Sequence, residues 1–392
     1  MKVRVRLAAV AALAAAAGGT APLPRPAGEV AASPTASRPP TSRDAFANGK
    51  HRGISFAHSM RGGRGYGSAD SEASLRDLSA RGVNWIAITP FGFQQTNDAT
   101  EIRWGGQRIA ESDDRLRAVT AQARRLGMKV LLKPHIWLRP PAWPGSINHT
   151  TEVAWAAWFA SYRPFILHYA ALARSEGMDA LCIGNELQHA SLRDREWREL
   201  IAAVRAAYGG PITYGATAEE VTGVPFWDAV DFIGVSAYFV LTPEKTPSPA
   251  ALLAAWRPVN DRLRALSTRH GKRVVFTEIG YRSADFAAWR HWEITDAAPV
   301  NLPAQANAYA AMFETVWGER WMGGAYPWKW FSHPGHSGRD SNDFEFEGKP
   351  AADIVAAAYR AAARGRDVKA AVRAVAGGAP APPRSPSKPL PQ

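Results

Sequence analysis

Two glutamates each close a short apolar, β-branched run, Asp179-Ala180-Leu181-Cys182-Ile183-Gly184-Asn185-Glu186 and Arg273-Val274-Val275-Phe276-Thr277-Glu278-Ile279-Gly280. In a barrel of parallel strands the C-terminal strand ends converge on one face, so carboxylates distant in sequence meet across a cleft. Two such carboxylates can cut a glycosidic bond. At about 5 to 5.5 Å one attacks the anomeric carbon while the other protonates the leaving oxygen, whereas about 6.5 to 9.5 Å leaves room for a water between them.

Other strand ends carry chemical side chains too. The third candidate strand runs into His135 and Trp137, the sixth into Ser236 and Tyr238, and the eighth into Trp328, Lys329 and Trp330. Each has a bland alternative, His135 as a structural histidine and the three tryptophans as core aromatics, but their place at the mouth makes them candidates for substrate contact. His333, His336 and Asp340 lie in a Gly/Pro-containing loop that imposes no ligand geometry, so neither a metal nor an organic cofactor is expected. Asn148-His149-Thr150 fits the glycosylation sequon and is read as accidental.

The elements that must position these residues are legible as an alternation. Strand candidates begin near Gly53, Val83, Lys129, Asp179, Pro211, Asp231, Arg273 and Gly323. Helical spacing fills the gaps, for example Leu116, Val119, Ala123 and Leu126, or Leu200, Ile201, Val204 and Tyr208. Gly82, Gly127, Gly177, Gly209 and Gly271 each stand where a helix should stop before the next strand. Eight strand-helix units over residues 50–363 predict the α/β class and a single (β/α)8 TIM barrel. The runner-up, a doubly wound open sheet, lacks a Gly-rich phosphate loop after the first strand.

The ends read differently. Residues 1–21 have a basic start and a short apolar run, the pattern of a secretory signal with an indefinite cleavage site; an uncleaved anchor is the rival reading. Residues 22–49, rich in Pro, Ala, Ser and Thr, read as a disordered linker, and residues 364–392 as a disordered, basic, Pro-rich tail. The sole cysteine, Cys182, lies in a predicted strand, so there is no lipid-attachment cysteine and no internal disulfide. A secreted or periplasmic protein without stable membrane insertion is expected, with the monomer favoured. The net charge of +12 is concentrated at the ends, leaving about +3 for the body, which argues against nucleic-acid binding.

An Asn-Glu pair ending the fourth strand with a Glu ending the seventh marks the large clan of retaining β-glycosidases, clan A. Within it the chain most resembles glycoside hydrolase family 113, whose members are mainly β-1,4-mannanases. The resemblance covers roughly residues 50–335. It is carried by Leu132-Lys133-Pro134-His135, Cys182-Ile183-Gly184-Asn185-Glu186-Leu187, Trp227-Asp228 before Asp231 to Tyr238, Phe276 to Arg282, and Trp328-Lys329-Trp330. It implies Glu186 as acid/base and Glu278 as nucleophile. On that mechanism Asn185 would bind the sugar 2-hydroxyl, Tyr238 would orient Glu278, and Trp328 or Trp330 would floor the sugar ring. Two segments depart from the pattern: Gly215 to Glu219 after the fifth strand has no aromatic-flanked Asn, and Thr89 to Gln94 after the second has no Arg. The expectation is a secreted retaining hydrolase of a β-1,4-linked polysaccharide or oligosaccharide, with β-mannan foremost. Glucan, galactan, exo-acting β-mannosidase action and a non-catalytic carbohydrate-binding barrel are the alternatives.

Overall fold

The computed structural model describes residues 45–377 except 60–61, 106–110, 140–141 and 337. The expected signal at 1–21, most of the linker and the tail beyond 377 lie outside the described residues. Eight parallel strands close a barrel: β1 His51–Ala57, β2 Trp85–Ile88, β3 Lys129–Leu132, β4 Ala180–Asn185, β5 Ile212–Thr217, β6 Ile233–Ser236, β7 Val274–Ile279 and β8 Met322–Pro327. Each pairs with the next, and β8 returns to β1 with His51 opposite Gly324. Trp330–Phe331 extends that last seam along Phe56–Ala57.

Helices α1 Ala69–Ala80, α2 Asp113–Arg125, α3 Glu152–Ser175 and α4 Asp194–Ala207 follow the first four strands. Then α5 Pro249–His270 follows β6, α6 Leu302–Val316 follows β7, and α7 Pro350–Ala363 follows β8. All five expected stop glycines have positive φ. Gly271, at φ 63°, shows why: its left-handed conformation turns the chain back so that its N–H caps Ser267 and Thr268 carbonyls of α5, at no Cβ cost.

Three expectations are corrected. The connection from β5 to β6 contains no α-helix among the described residues, only a 3-10 turn at Trp227–Ala229. Gly223 and Pro225 break helical continuity there, and buried Val221, Val224, Phe226 and Trp227 fill the space, with Trp227 Nε1 donating to Val221 O at 2.8 Å. The tail does not begin at 364 as a disordered segment: α8, Val368–Ala376, is capped by Asp367, fully buries Val372 and rests Val368 and Val375 on the core. Nor does the linker reach 49, because Ala45 is buried and Phe46 stacks on His51 with ring centroids 5.0 Å apart. The two ends meet at the N-terminal side of the strands, where Asn48, Gly49 and Lys50 share a cavity of about 480 Å3 with Asp367, Val368 and Lys369.

Strand alternation produces two cores. A large one lies between strands and helices, and a small one inside the barrel contains Trp85, Ala87, Leu131, Ala180, Cys182, Phe232, Val275 and Tyr326. Fully buried His51 plugs the floor of the inner core, stacked on Trp85 at 3.9 Å. Its Nε2 donates to Ala45 O at 2.6 Å, which fixes the tautomer and makes Nδ1 the acceptor for Tyr326 Oη at 3.0 Å. Burial holds its pKa down to about 3, so the plug is neutral.

Candidate active site

Above that floor the inward residues become charged. Lys133, immediately after β3, is 1% exposed and reaches across the barrel to Glu278 on β7, with Nζ 2.6 Å from Oε2 and 3.2 Å from Thr277 O. Tyr238, after β6, donates from its hydroxyl to the other carboxylate oxygen, Oε1, at 2.5 Å. Burial, followed by the Glu278 carboxylate, pushes the Tyr238 phenol well above its ordinary pKa, so it remains a donor. Its ring is braced by His291 at 4.6 Å and Phe344 at 5.9 Å. Glu278 is therefore held at both oxygens, one by a cation and one by a neutral hydroxyl.

Glu186, the residue after β4, stands near it, within reach of its charge. Strict alternation would send Asn185 and Glu186 to opposite sides of the sheet, but the β4–β5 register shifts between Cys182 and Asn185, and Glu186 takes φ 55°. Its backbone N–H is fixed on Gly215 O at 2.8 Å. The next N–H, of Leu187, donates to Tyr214 Oη at 2.8 Å, and that hydroxyl donates to buried Glu220 at 2.6 Å. An αL conformation in a non-glycine residue costs of order 1–3 kcal/mol and persists only where its surroundings fix it, as these bonds do. Trp143 Nε1 donates to the Glu186 carboxylate at 3.1 Å.

The Glu186 pKa is raised to about 7, first by burial and second by the Glu278 charge, against the opposing Trp143 hydrogen bond and Lys133 charge. The like-charged neighbour is thus the smaller of the two upward causes. Near neutral pH Glu186 is therefore protonated in a substantial share of molecules.

Asn185 is buried and accepts from Ser236 Oγ at 3.2 Å, leaving its amide Nδ2 as the donor end. Gly215 makes the space, since a Cβ there would fall 2.5 Å from Asn185 Oδ1. The structure thus brings Glu186, Glu278, Asn185 and Tyr238 together. Trp328, joined to Lys329 by a cis peptide, stands partly buried at the lip of β8 beside Gly280. His135 continues the inward side of β3 past Lys133. Burial and that ammonium push its pKa well down, and its buried Nε2 has no protein partner. Trp137 lies farther out, 38% exposed, against Phe93 with centroids 5.8 Å apart.

Trp330 is not part of the site. It is 1% exposed, donates from Nε1 to Ser74 Oγ of α1 at 3.0 Å, and packs on Phe346 at 5.5 Å. In the extended pairing with β1 it stands opposite Phe56 and packs in the helix layer, while Trp328 is partly buried beside Gly280. Lys133 and Trp143 were missed as site residues. A lysine ending an apolar strand two positions before His135 was a usable signal for the first. For Trp143 the only hint is Trp-Pro-Gly, where Gly145 admits the indole so closely that a Cβ would lie 2.0 Å from it.

The sequence model of Glycoside Hydrolase Family 113 matches residues 54–349. Among solved structures, the family 113 β-mannanase of Alicyclobacillus acidocaldarius is 32% identical, with a TM-score of 0.72 over 81% of this chain and 99% of that one. A family 113 β-1,4-mannanase crystallised as a complex is 28% identical, with a TM-score of 0.71 over 79% and 99%. A family 5 mannosidase from Rhizomucor miehei shares the fold at 11% identity and a TM-score of 0.57 over 84% and 94%. No curated protein sequence matches the chain.

Proposed function

The chain belongs to glycoside hydrolase family 113, and from that premise and the paired carboxylates we propose a retaining β-1,4-mannanase acting by double displacement. The observation that carries this reading is the unequal environment of the two glutamates. Glu278, ion-paired with Lys133 and bonded by Tyr238, is the nucleophile; Glu186, with its pKa raised to about 7, is the acid.

In the first step a Glu278 oxygen forms a bond to the anomeric carbon while the bond to the leaving oxygen breaks, and Glu186 gives that oxygen its proton. The ester carries no charge, so one of the two influences raising the Glu186 pKa disappears and Glu186 becomes the base. In the second step it takes a proton from water, the water oxygen bonds to the anomeric carbon, and Glu278 leaves as carboxylate. Asn185 donates to the 2-hydroxyl, a bond that strengthens as the ring gains oxocarbenium character. Trp328 supplies an apolar surface beside the ring. We further read residues 1–21 as an export signal; the N-terminal mass of the protein recovered outside the cytoplasm tests that.

Azide rescue tests the roles. With an activated aryl β-mannoside, Glu186→Ala forms the glycosyl-enzyme and stalls, and azide releases the β-azide because two displacements preserve configuration. Glu278→Ala with azide gives the α-azide. The reverse pairing would exchange the roles, and undiminished hydrolysis by either variant would remove that residue from the mechanism. Chromatography of products from mannan, glucomannan, glucan and galactan decides the glycan: a ladder of manno-oligosaccharides supports internal cutting, and release of mannose alone supports exo action.

A further inference from the structure

The inward parity of the barrel does not stop at its lip. On β2 it runs through Trp85 and Ala87, and on β3 through Leu131 and then Lys133, whose ammonium reaches Glu278. Both chains continue past Pro90 and Pro134 into a small second sheet, Phe91–Gln94 beside His135–Leu138, in parallel register with Phe91 opposite His135 and Phe93 opposite Trp137. The same-parity residues form one continuous face from the catalytic ion pair to the rim. The opposite face is sealed: Ile136 and Leu138 are each 3% exposed, and a Cβ on Gly92 would lie 2.9 Å from Ile102 and 3.0 Å from Phe165.

Along the open face, exposure rises outward, from partly buried His135 and Phe91 to Phe93 at 40% and Trp137 at 38%. Two large rings packed on each other and left in water at the end of a ramp from the catalytic carboxylate are a surface awaiting an apolar partner. The cavity they flank, about 310 Å3, is edged by Gln95, Glu101, Arg103 and Arg139, with Arg103 and Glu101 paired at 2.9 Å. Ring faces bordered by a guanidinium and a carboxylate match a pyranose, which has C–H groups on its faces and hydroxyls around its edge. Four residue steps of extended chain lead from Lys133 to Trp137, about 13 Å, more than one sugar ring spans.

We propose that Phe93 and Trp137 form a rim subsite that holds a sugar unit of the same β-glycan chain, remote from the bond being cut. This rests on the polysaccharide-hydrolase reading above. The subsite makes the enzyme selective for long chains, since a short glycoside in the catalytic cleft cannot reach it.

The test uses the full-length enzyme, its Trp137→Ala and Phe93→Ala variants, and the ring-keeping Trp137→Phe. Substrates are β-1,4-manno-oligosaccharides of two to six units and an aryl β-mannoside, or the corresponding series of whichever glycan the wild type cleaves. The expected result is a fall of about tenfold in the ratio of kcat/KM on the longest chain to kcat/KM on the aryl glycoside for Trp137→Ala, a smaller fall for Phe93→Ala, and recovery in Trp137→Phe. In the Glu278→Gln background, calorimetry should lose affinity for the longest oligomer on adding Trp137→Ala. An unchanged ratio, or a loss shared equally by all substrates, would overturn the rim subsite. So would binding of free sugar at the rim with no change in chain-length dependence. Failure of the wild type on every β-glycan would instead remove the functional reading beneath it.

Discussion

The floor and the mouth of this barrel are built by the same eight strands and bury titratable groups at both ends, yet they solve the burial problem in opposite ways. At the floor His51 has both ring nitrogens bonded, stacks on Trp85 and stays neutral. At the mouth Lys133 and Glu278 keep an ion pair, Glu186 is held in a strained backbone with a raised pKa, and His135 Nε2 and Thr277 Oγ1 lack partners. The floor is satisfied by the protein alone. The mouth keeps buried charge and unpaired polar atoms side by side, the mark of a site retained for chemistry.

The comparison breaks most visibly at Glu278. Glu278→Gln should lower turnover on polymer by roughly thousandfold or more, about 4 kcal/mol in the barrier, while Glu278→Ala should also lower Tm, because it leaves Lys133 buried without its counter-charge. Retained hydrolysis, or an alanine variant as stable as wild type, would make the mouth an ordinary structural ion pair. Trp330→Ala should act as a floor-type change despite its neighbours at the mouth, costing about 3–5 kcal/mol of stability, read as a drop in the denaturant midpoint. A specific KM defect without destabilisation would return Trp330 to the sugar site.

The two ends also titrate in opposite directions. His51 has a folded pKa of about 3 against 6.5 when exposed, so its contribution to stability is complete above 6.5 and lost as pH falls toward 3. His51→Phe should cost about 1–3 kcal/mol at pH 7 by unpairing Ala45 O and the Tyr326 hydroxyl, and should flatten the slope of stability between pH 6.5 and 3. Glu186, about 7 folded against 4.5 exposed, behaves oppositely: stability is complete below 4.5 and lost as pH rises through 7. Glu186→Gln should therefore raise stability by roughly 1–2 kcal/mol at pH 8 and leave it unchanged at pH 4. Thermal melts across pH decide both, and slopes of the same sign at the two ends would dissolve the contrast.

What the sequence made legible follows from which physics is local. Strands, most helices and the glycine stops rest on periodicity and backbone conformation, and the two glutamates stand out because an acid ending an apolar strand is unusual in a core. The site's finer geometry rests on departures from period. Strict alternation cannot place Asn185 and Glu186 in one cleft; a register shift and one positive φ do, and no residue type announces either. Trp330 was misjudged for the related reason that proximity in sequence to Trp328 says nothing of which side of the seam each ring takes. The buried cation beside Glu278 comes from Lys133, across the barrel after β3. That pairing of residues 145 apart in sequence is visible only when the barrel closes. The absent helix after β5 is a matter of tertiary packing around a short segment, whereas α8 carries helical spacing at Val368, Val372 and Val375 that the proline-rich composition of the tail beyond it obscured.

The shared cavity of Asn48, Gly49, Lys50, Asp367, Val368 and Lys369 places the N-terminal end of the described body, with the start of α8, on the face opposite the catalytic mouth. A tether, fused module or solid support attached at the N-terminal end of that body therefore leaves the mouth pointing away from its anchor. For a glycoside hydrolase, whose substrate is a polysaccharide or oligosaccharide, that polarity turns the anchor into a stalk: the body can be fixed in place and still present its open end.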